Sequence, residues 1–270
     1  MSDMPRGRLI VIGGREEKEA HQPCEILNEV ARHARGFAER LALVTVATDY
    51  PDVMAQIYGS VFARLGVRNI DVLDVRHRDQ AFDPANVAKV TGASVVFMTG
   101  GDQWRLADHL RGSPVLAWMH ELYRAGGTIA GTSAGATAIS AKMIVSGWSG
   151  LSALVDDLEW SEGLGFLADA VVDSHFVERK RLGRLIGAVA LHPTHLGFGV
   201  GENTAMIVSG GARVEVIGSG SVYVLDGGEL LVGPAGGARS VVRCQGLRLH
   251  ALGAGHGFDL PSRRPVHPAR

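Results

Sequence analysis

Apolar residues in this chain come in short unbroken runs instead of alternating with polar ones. Arg8-Leu9-Ile10-Val11-Ile12, Leu41-Ala42-Leu43-Val44-Thr45-Val46, Ser94-Val95-Val96-Phe97-Met98 and Thr128-Ile129-Ala130 are such runs, Gly13-Gly14 and Gly100-Gly101 end the first and third, and Asn69 to Val75 reads as a further strand interrupted by Asp71 and Asp74. A strand covered on both faces reads this way, because neither face can tolerate polar side chains. Between the runs lie stretches with helical patterning: Pro23 to Arg35, Asp52 to Leu65, and segments from Gly101 to Arg124. Strands alternating with helices predict an α/β fold, a doubly wound, mostly parallel sheet with helices on both faces.

From about residue 205 the texture changes. Ala205 to Val208, Val214 to Ile217, Val222 to Leu225 and Val241 to Leu252 read as short strands, with Gly210-Gly211, Gly227-Gly228 and Gly236-Gly237 as turns between them. No linker-like stretch separates this part. We therefore expect a single domain over residues 1–270, with a β-rich C-terminal extension and a loose tail at Ser262-Arg263-Arg264-Pro265.

Composition narrows the function classes. The chain has 270 residues, 46% hydrophobic, with a formal net charge of −1, so no overall field attracts nucleic acid or a membrane surface. No apolar stretch approaches the roughly 18 residues of a membrane span, and the N-terminal apolar run is too short for a secretory signal. Cys24 and Cys244 are too few for a disulfide framework and suit a reducing compartment. The expectation is a cytoplasmic protein.

Chemistry is suggested first by Gly131-Thr132-Ser133-Ala134-Gly135, which fits G-x-S-x-G. In such an elbow a strand turns sharply into a helix, so the residues around the nucleophile must be small, and free N–H groups at the helix start face a developing oxyanion. The same pattern also suits a glycine-rich βα turn with a capping serine. Gly100-Gly101 ends a neighbouring strand, where a backbone N–H could serve the same oxyanion, and Asp102 suits the cap of the next helix. Gly13-Gly14 lacks the rest of a dinucleotide fingerprint and runs into Arg15-Glu16-Glu17, whose carboxylates would repel a pyrophosphate.

A serine nucleophile needs a base and a group that orients it. Of the histidines, His21, His33, His77, His109, His120 and His267 have ordinary surface readings. His175 follows the strand-like Ala170-Val171-Val172-Asp173, with Ser174 as a cap and a helix expected from Phe176 to Leu191 on the stripe Leu182, Leu185, Ile186 and Val189. Arg179, Lys180, Arg181 and Arg184 then crowd a helix start, where cations are disfavoured, which implies carboxylate partners. Glu202, in Gly197-Phe198-Gly199-Val200-Gly201-Glu202-Asn203-Thr204, is the acidic candidate. The chain order Ser, His, Glu differs from α/β-hydrolases; that alternative would use His250 or His256 with Asp226.

Five stretches in register resemble one family: Gly13-Gly14-x-Glu16-x-Lys18, Gly100-Gly101-Asp102-Gln103, Gly131 to Ala136, Asp173 to Leu185, and Gly201 to Ala205. They are similar to cyanophycinases, in the serine peptidase family that also contains dipeptidase E. The resemblance implies a fold related to class I glutamine amidotransferases and a homodimer. It further implies exopeptidase cleavage of cyanophycin, a poly-aspartate carrying arginine on each β-carboxyl, into β-Asp-Arg dipeptides, without metal or cofactor. It places Ser133 as nucleophile, His175 as base, Glu202 as its partner, and the Gly101 and Ala134 N–H groups in an oxyanion hole. Gln103, Asp173, Arg179, Arg181 and Arg184 would hold substrate. Ser174 departs from the glutamine usual in the family, which leaves the exact specificity open. The alternatives are a dipeptidase E-like aspartyl dipeptidase and a non-catalytic binding protein.

Overall fold

The computed structural model describes residues 5–150, 152–154, 157–233 and 240–267. The expected turn at Gly236-Gly237 lies outside these residues. In the first half β1 (Arg8–Ile12), α1 (Glu25–Arg32), β2 (Leu41–Val44), α2 (Pro51–Arg64), β3 (Ile70–Leu73), α3 (Pro84–Thr91), β4 (Val95–Met98), α4 (Gln103–Leu110), α5 (Pro114–Ala125) and β5 (Thr128–Thr132) alternate as expected. Only α3 lacked a counterpart in the sequence pattern. After β5 come α6 (Ala134–Ala138), the hairpin of β6 (Lys142–Ser146) and β7 (Glu159–Glu162), then β8 (Ala170–Asp173), α7 (Leu182–Leu191) and β9 (Leu196–Val200). The C-terminal strands are β10 (Thr204–Ser209), β11 (Arg213–Gly218), β12 (Val222–Asp226), β13 (Leu231–Val232), β14 (Cys244–Gln245), β15 (Arg248–Leu252), β16 (Gly257–Asp259) and β17 (Arg264–Val266).

Two sheets organise the molecule. The first has nine strands in the order β17-β16-β11-β10-β1-β5-β4-β2-β3, and the second has four in the order β15-β12-β9-β8. In the first sheet, β1, β5, β4, β2 and β3 run parallel, and the strands from β10 outward are antiparallel. The C-terminal strands thus extend the parallel sheet and also supply β12 and β15 to the second.

Alternate residues of the parallel strands enter two cores. Ile10, Ile12, Leu43, Phe97 and Ala130 pack against Ile26, Leu27 and Val30 of α1 and Tyr58, Val61 and Phe62 of α2. Leu9, Val11, Val44, Val96, Met98 and Ile129 face the other way. They meet Leu106 of α4, Met119 of α5, the short α6, and Phe198, Val200, Val222 and Val224 of the second sheet. Both faces are dry, which is why these strands carry no polar alternation. Leu185 and Val189 of α7 cover the far side of the second sheet with Val171 and Leu225.

Two local expectations are corrected. The tail is held: β17 pairs with β16, and the Arg263 guanidinium donates to Asp226 Oδ1 at 2.6 Å and to the Thr194 carbonyl at 2.5 Å. Helix α7 starts at Leu182 and not at Phe176, because residues 176–180 form turns and Lys180 has a φ of 53°. Ser174 is therefore no N-cap. Its hydroxyl is buried 3.4 Å from Thr137 Oγ1.

Candidate active site

The parallel strands end together, and the site is built on their carboxyl edge. Ser133 follows β5 and carries φ 54° and ψ −109°, a conformation that costs of order 1–3 kcal/mol and persists only when its surroundings impose it. They do so from both sides. Ser133 N–H donates to the Ile12 carbonyl at 2.9 Å, and the strand folds back directly on α6. A Cβ at Gly131 would lie 2.4 Å from the Gly135 carbonyl oxygen, and one at Gly135 would lie 2.5 Å from that of Met98. Close backbone approach is the reason for the small residues. Gly135→Ala is accordingly expected to inactivate the protein and lower its melting temperature by several degrees, readable by thermal unfolding.

His175 and Glu202 arrive from the second sheet. His175 lies two residues beyond β8, with a φ of 48°. Glu202 sits in the short turn between β9 and β10, where the chain passes from one sheet to the other. Ser133 Oγ is 2.8 Å from His175 Nε2, and His175 Nδ1 is 2.7 Å from Glu202 Oε1. A carboxylate on Nδ1 keeps the proton there and leaves Nε2 to accept the serine hydroxyl. Burial pushes the imidazole below its ordinary pKa, the hydrogen bond it donates to Glu202 opposes that, and the Arg179 and Arg181 charges add to the depression.

The oxyanion candidates also fall here. Gly101 has a φ of 141°, and a Cβ there would be 2.1 Å from the Ala47 carbonyl oxygen, so only glycine fits. Gly101 sits one residue beyond Gly100, whose own Cβ position is 3.2 Å from Ser133 Cβ. Ala134 is the first residue of α6. That helix has 5 residues, too few to build much of a macrodipole, so local N–H groups would have to stabilise an oxyanion. Asp102 caps α4 as expected, accepting from Trp104 N–H and Arg105 N–H at 2.8 and 3.3 Å.

The remaining candidates divide. The carboxylate met by the cations is internal: fully buried Asp173 accepts from Arg184 Nε at 2.8 Å, from Arg184 Nη2, and from Arg181 Nη1 at 3.0 Å. Arg184, in the first turn of α7, is buried. Burial brings the Arg181 guanidinium down to about 10 despite Asp173 beside it; it remains charged near neutrality. Arg179 is exposed and, among the described residues, has no carboxylate within ion-pair distance. Gln103 is half-buried and its amide donates to the carbonyls of Ile144 and Val145 at 3.1 and 2.8 Å. Ser133 Oγ meets His175 and Asp226 is engaged with Arg263, so the alternative α/β-hydrolase relay through His250 or His256 is not formed among the described residues. The loop carrying Leu151 falls outside the described residues at that position. Among the described residues, no cluster of three His, Cys, Asp or Glu is placed to hold a metal ion, and no helix is long and apolar enough to cross a membrane.

Residues 9–216 match the peptidase family S51. The chain belongs to that family. It is a peptidase, and the S-type assignment fits a serine at the elbow. Among curated proteins this S51 peptidase is similar to the cyanophycinase of Nostoc sp. (strain PCC 7120 / SAG 25.82 / UTEX 2576), 36% identical over 264 residues, covering 97% of this chain and 88% of that one. It is similar also to the cyanophycinase of Geminocystis herdmanii (strain PCC 6308), 35% identical over 272 residues and 98% of both. Among solved structures, the crystal structure of a peptidase from an acI-B1 Actinobacterium superposes with a TM-score of 0.70 at 22% identity, over 95% of this chain and 98% of that one. That last likeness speaks for the fold alone.

Sequence reasoning missed the part played by the loop after β1. Gly14 packs on the His175 ring, Arg15 Nε is 3.5 Å from Glu202 Oε1, and Glu16 is buried beneath the elbow. The signal was present in Gly13-Gly14-x-Glu16-x-Lys18, but periodicity says nothing about which loop carboxylate turns inward.

Proposed function

We propose that this chain is a serine exopeptidase that hydrolyses cyanophycin to β-Asp-Arg dipeptides through an acyl-enzyme. The observation that carries the catalytic part is the relay Ser133 Oγ, His175 and Glu202, with links of 2.8 and 2.7 Å, on an elbow held in a strained conformation. Ser133 attacks a backbone carbonyl of the polymer while His175 Nε2 takes its proton, and the resulting imidazolium is stabilised by Glu202. The N–H groups of Gly101 and Ala134 receive the oxyanion. The imidazolium then protonates the leaving amine. In the second half, His175 activates water to release the acyl group and restore the serine.

The substrate part is supported by the cyanophycinases that the chain resembles over nearly its whole length. Arginine joined through its amine to a β-carboxyl leaves a free carboxylate on every repeat. Arg179, exposed and, among the described residues, without a carboxylate partner, is suited to bind such a group bidentately. Asp173, Arg181 and Arg184 then act by holding the His175 segment instead of touching substrate, and Gln103 supports the mouth through β6. A cytoplasmic homodimer is part of this reading.

The deciding test is incubation with insoluble cyanophycin beside α-Asp-X and β-Asp-X dipeptides, with products identified by mass spectrometry. Release of β-Asp-Arg from the polymer supports the proposal. Cleavage of α-Asp-X alone overturns it in favour of a dipeptidase E-like activity, and polymer binding without turnover favours a non-catalytic protein.

The pH profile follows from the same geometry. His175 acts as base only when neutral, and its pKa lies below the ordinary value. The acid limb of kcat/KM is therefore expected below about pH 6.5, activity being lost as pH falls through the lowered pKa. Arg179→Gln removes a charge that depresses the imidazole, so the limb moves to higher pH. Glu202→Gln moves it lower and cuts the rate by on the order of a thousandfold or more, as expected when a base loses the group that fixes its tautomer.

A further inference from the structure

Beneath the relay lies a buried ionisable group that the catalytic steps do not use. The Glu16 side chain has no exposed surface, yet three donors surround it. Thr132 Oγ1 is 2.7 Å from its Oε2, Tyr58 Oη is 2.6 Å from its Oε1, and Lys18 Nζ is 3.0 Å from its Oε1. Burial alone would raise its pKa, but the Lys18 ammonium and the two hydroxyl donors hold it below the ordinary carboxylate value. A buried charge is expensive unless it is paired and fully hydrogen-bonded, and this one is. Tyr58 is itself fixed against Phe97, with ring centroids 4.9 Å apart.

Two connections give Glu16 its reach. Thr132 is bonded covalently to Ser133. The other connection is the loop in which Glu16 sits, since that loop and the end of β1 touch all three members of the relay. The Ile12 carbonyl accepts from Ser133 N–H at 2.9 Å, and the Gly13 carbonyl accepts from His175 N–H at 2.8 Å. Gly14 lies so close to the imidazole that a Cβ would be 2.3 Å from His175 Cε1. The Gly14 carbonyl accepts from Asn203 N–H at 2.9 Å, and Glu17 N–H donates to Asn203 Oδ1 at 3.2 Å, next to Glu202. Through these contacts one loop spans the two sheets from which the relay is assembled.

We propose that Glu16 is a positioning residue, pinning this loop to the elbow through Thr132 and so fixing the spacing of Ser133, His175 and Glu202. The proposal rests on the catalytic reading of that relay. Glutamine cannot replace the carboxylate, because its amide nitrogen offers donors to a shell that contains the ammonium of Lys18 and two hydroxyls already pointing inward.

The test uses the full chain and reads the rate at which a fluorophosphonate probe labels Ser133, normalised to folded protein by circular dichroism, alongside kcat and KM on cyanophycin. Glu16→Gln and Thr132→Val are expected to slow labelling and lower kcat by roughly 10- to 100-fold, the scale of one lost hydrogen bond to a charged group, with KM within about twofold. Tyr58→Phe removes a hydroxyl from the same carboxylate but not from the elbow, and is expected to cost distinctly less than Thr132→Val. Wild-type labelling rates in Glu16→Gln and Thr132→Val would overturn the proposal. So would equal losses in Thr132→Val and Tyr58→Phe, which would mark general loosening of the core. If Glu16→Gln does not fold, the Thr132→Val and Tyr58→Phe pair decides alone. Folded wild-type protein that fails to label at Ser133 would remove the relay itself, a result separable from failure of the Glu16 proposal.

Discussion

Ser133→Ala is expected to abolish hydrolysis, with a loss of roughly a millionfold in kcat if the relay acts as a unit, while binding of the polymer is largely kept. The substitution removes only Oγ. The elbow is held by Ser133 N–H on the Ile12 carbonyl and by the Gly131 and Gly135 contacts, none of which involves the hydroxyl. The proposed substrate contact Arg179 and its neighbour Gln103 lie on other elements and are untouched. Alanine also relieves none of the backbone strain, so stability should change little. The measurement pairs product release with co-sedimentation on insoluble polymer. Persistent turnover in this variant would sink the assignment of the nucleophile.

Asp173→Ala is expected to have the largest effect on stability. Both carboxylate oxygens accept from guanidinium groups, Asp173 has no exposed surface and the Arg184 side chain is buried. Removing the acid leaves Arg184 buried without its counter-charge, which costs about 3–5 kcal/mol in comparable cases. For a chain of this size that lowers the melting temperature by roughly 10 °C. Asp173 is also two residues before His175, and Arg181 Nη1 donates to the Ser174 carbonyl at 2.7 Å. The base segment should therefore loosen, and kcat should fall further than the folded fraction explains. Asp173→Asn keeps the shape and removes the charge, and should fall between wild type and alanine. Thermal unfolding with and without substrate separates the two effects. Unchanged stability in Asp173→Ala would show that the arginines find other partners.

The parallel half of the fold was legible because β1, β2, β4 and β5 are dry on both faces, so each wrote an almost uninterrupted apolar run, while the edge strand β3 keeps Asp71 and is only partly buried. The second sheet was harder to see. Leu196 to Val200 and Thr204 to Ser209 are separated by only Gly201-Glu202-Asn203, a spacing that also suits a hairpin within one sheet, yet they belong to different sheets. Nothing local distinguishes a turn that continues a sheet from one that leaves it, since the distinction lies in which distant strand supplies the hydrogen bonds. The misplaced start of α7 has a similar origin. Phe176 to Lys180 have helix-compatible side chains, but the left-handed backbone at His175 and Lys180 is imposed by contacts with Gly13, Val200 and Phe176.

What the sequence determined by itself was the set of groups: a serine among residues too small to obstruct it, a histidine after a strand, a carboxylate after another, and cations that needed a counter-charge. Residue type and local patterning carry that much, because they reflect volume, period and charge. Only the tertiary structure decided the partners. It turned Asp173 inward to neutralise Arg181 and Arg184, left Arg179 exposed, and buried Glu16 under the elbow. Those choices depend on which surfaces meet when two sheets pack, and a buried charge settles wherever its donors converge. That convergence joins residues far apart in the chain, such as Glu16 and Thr132, and no window of neighbouring residues contains it.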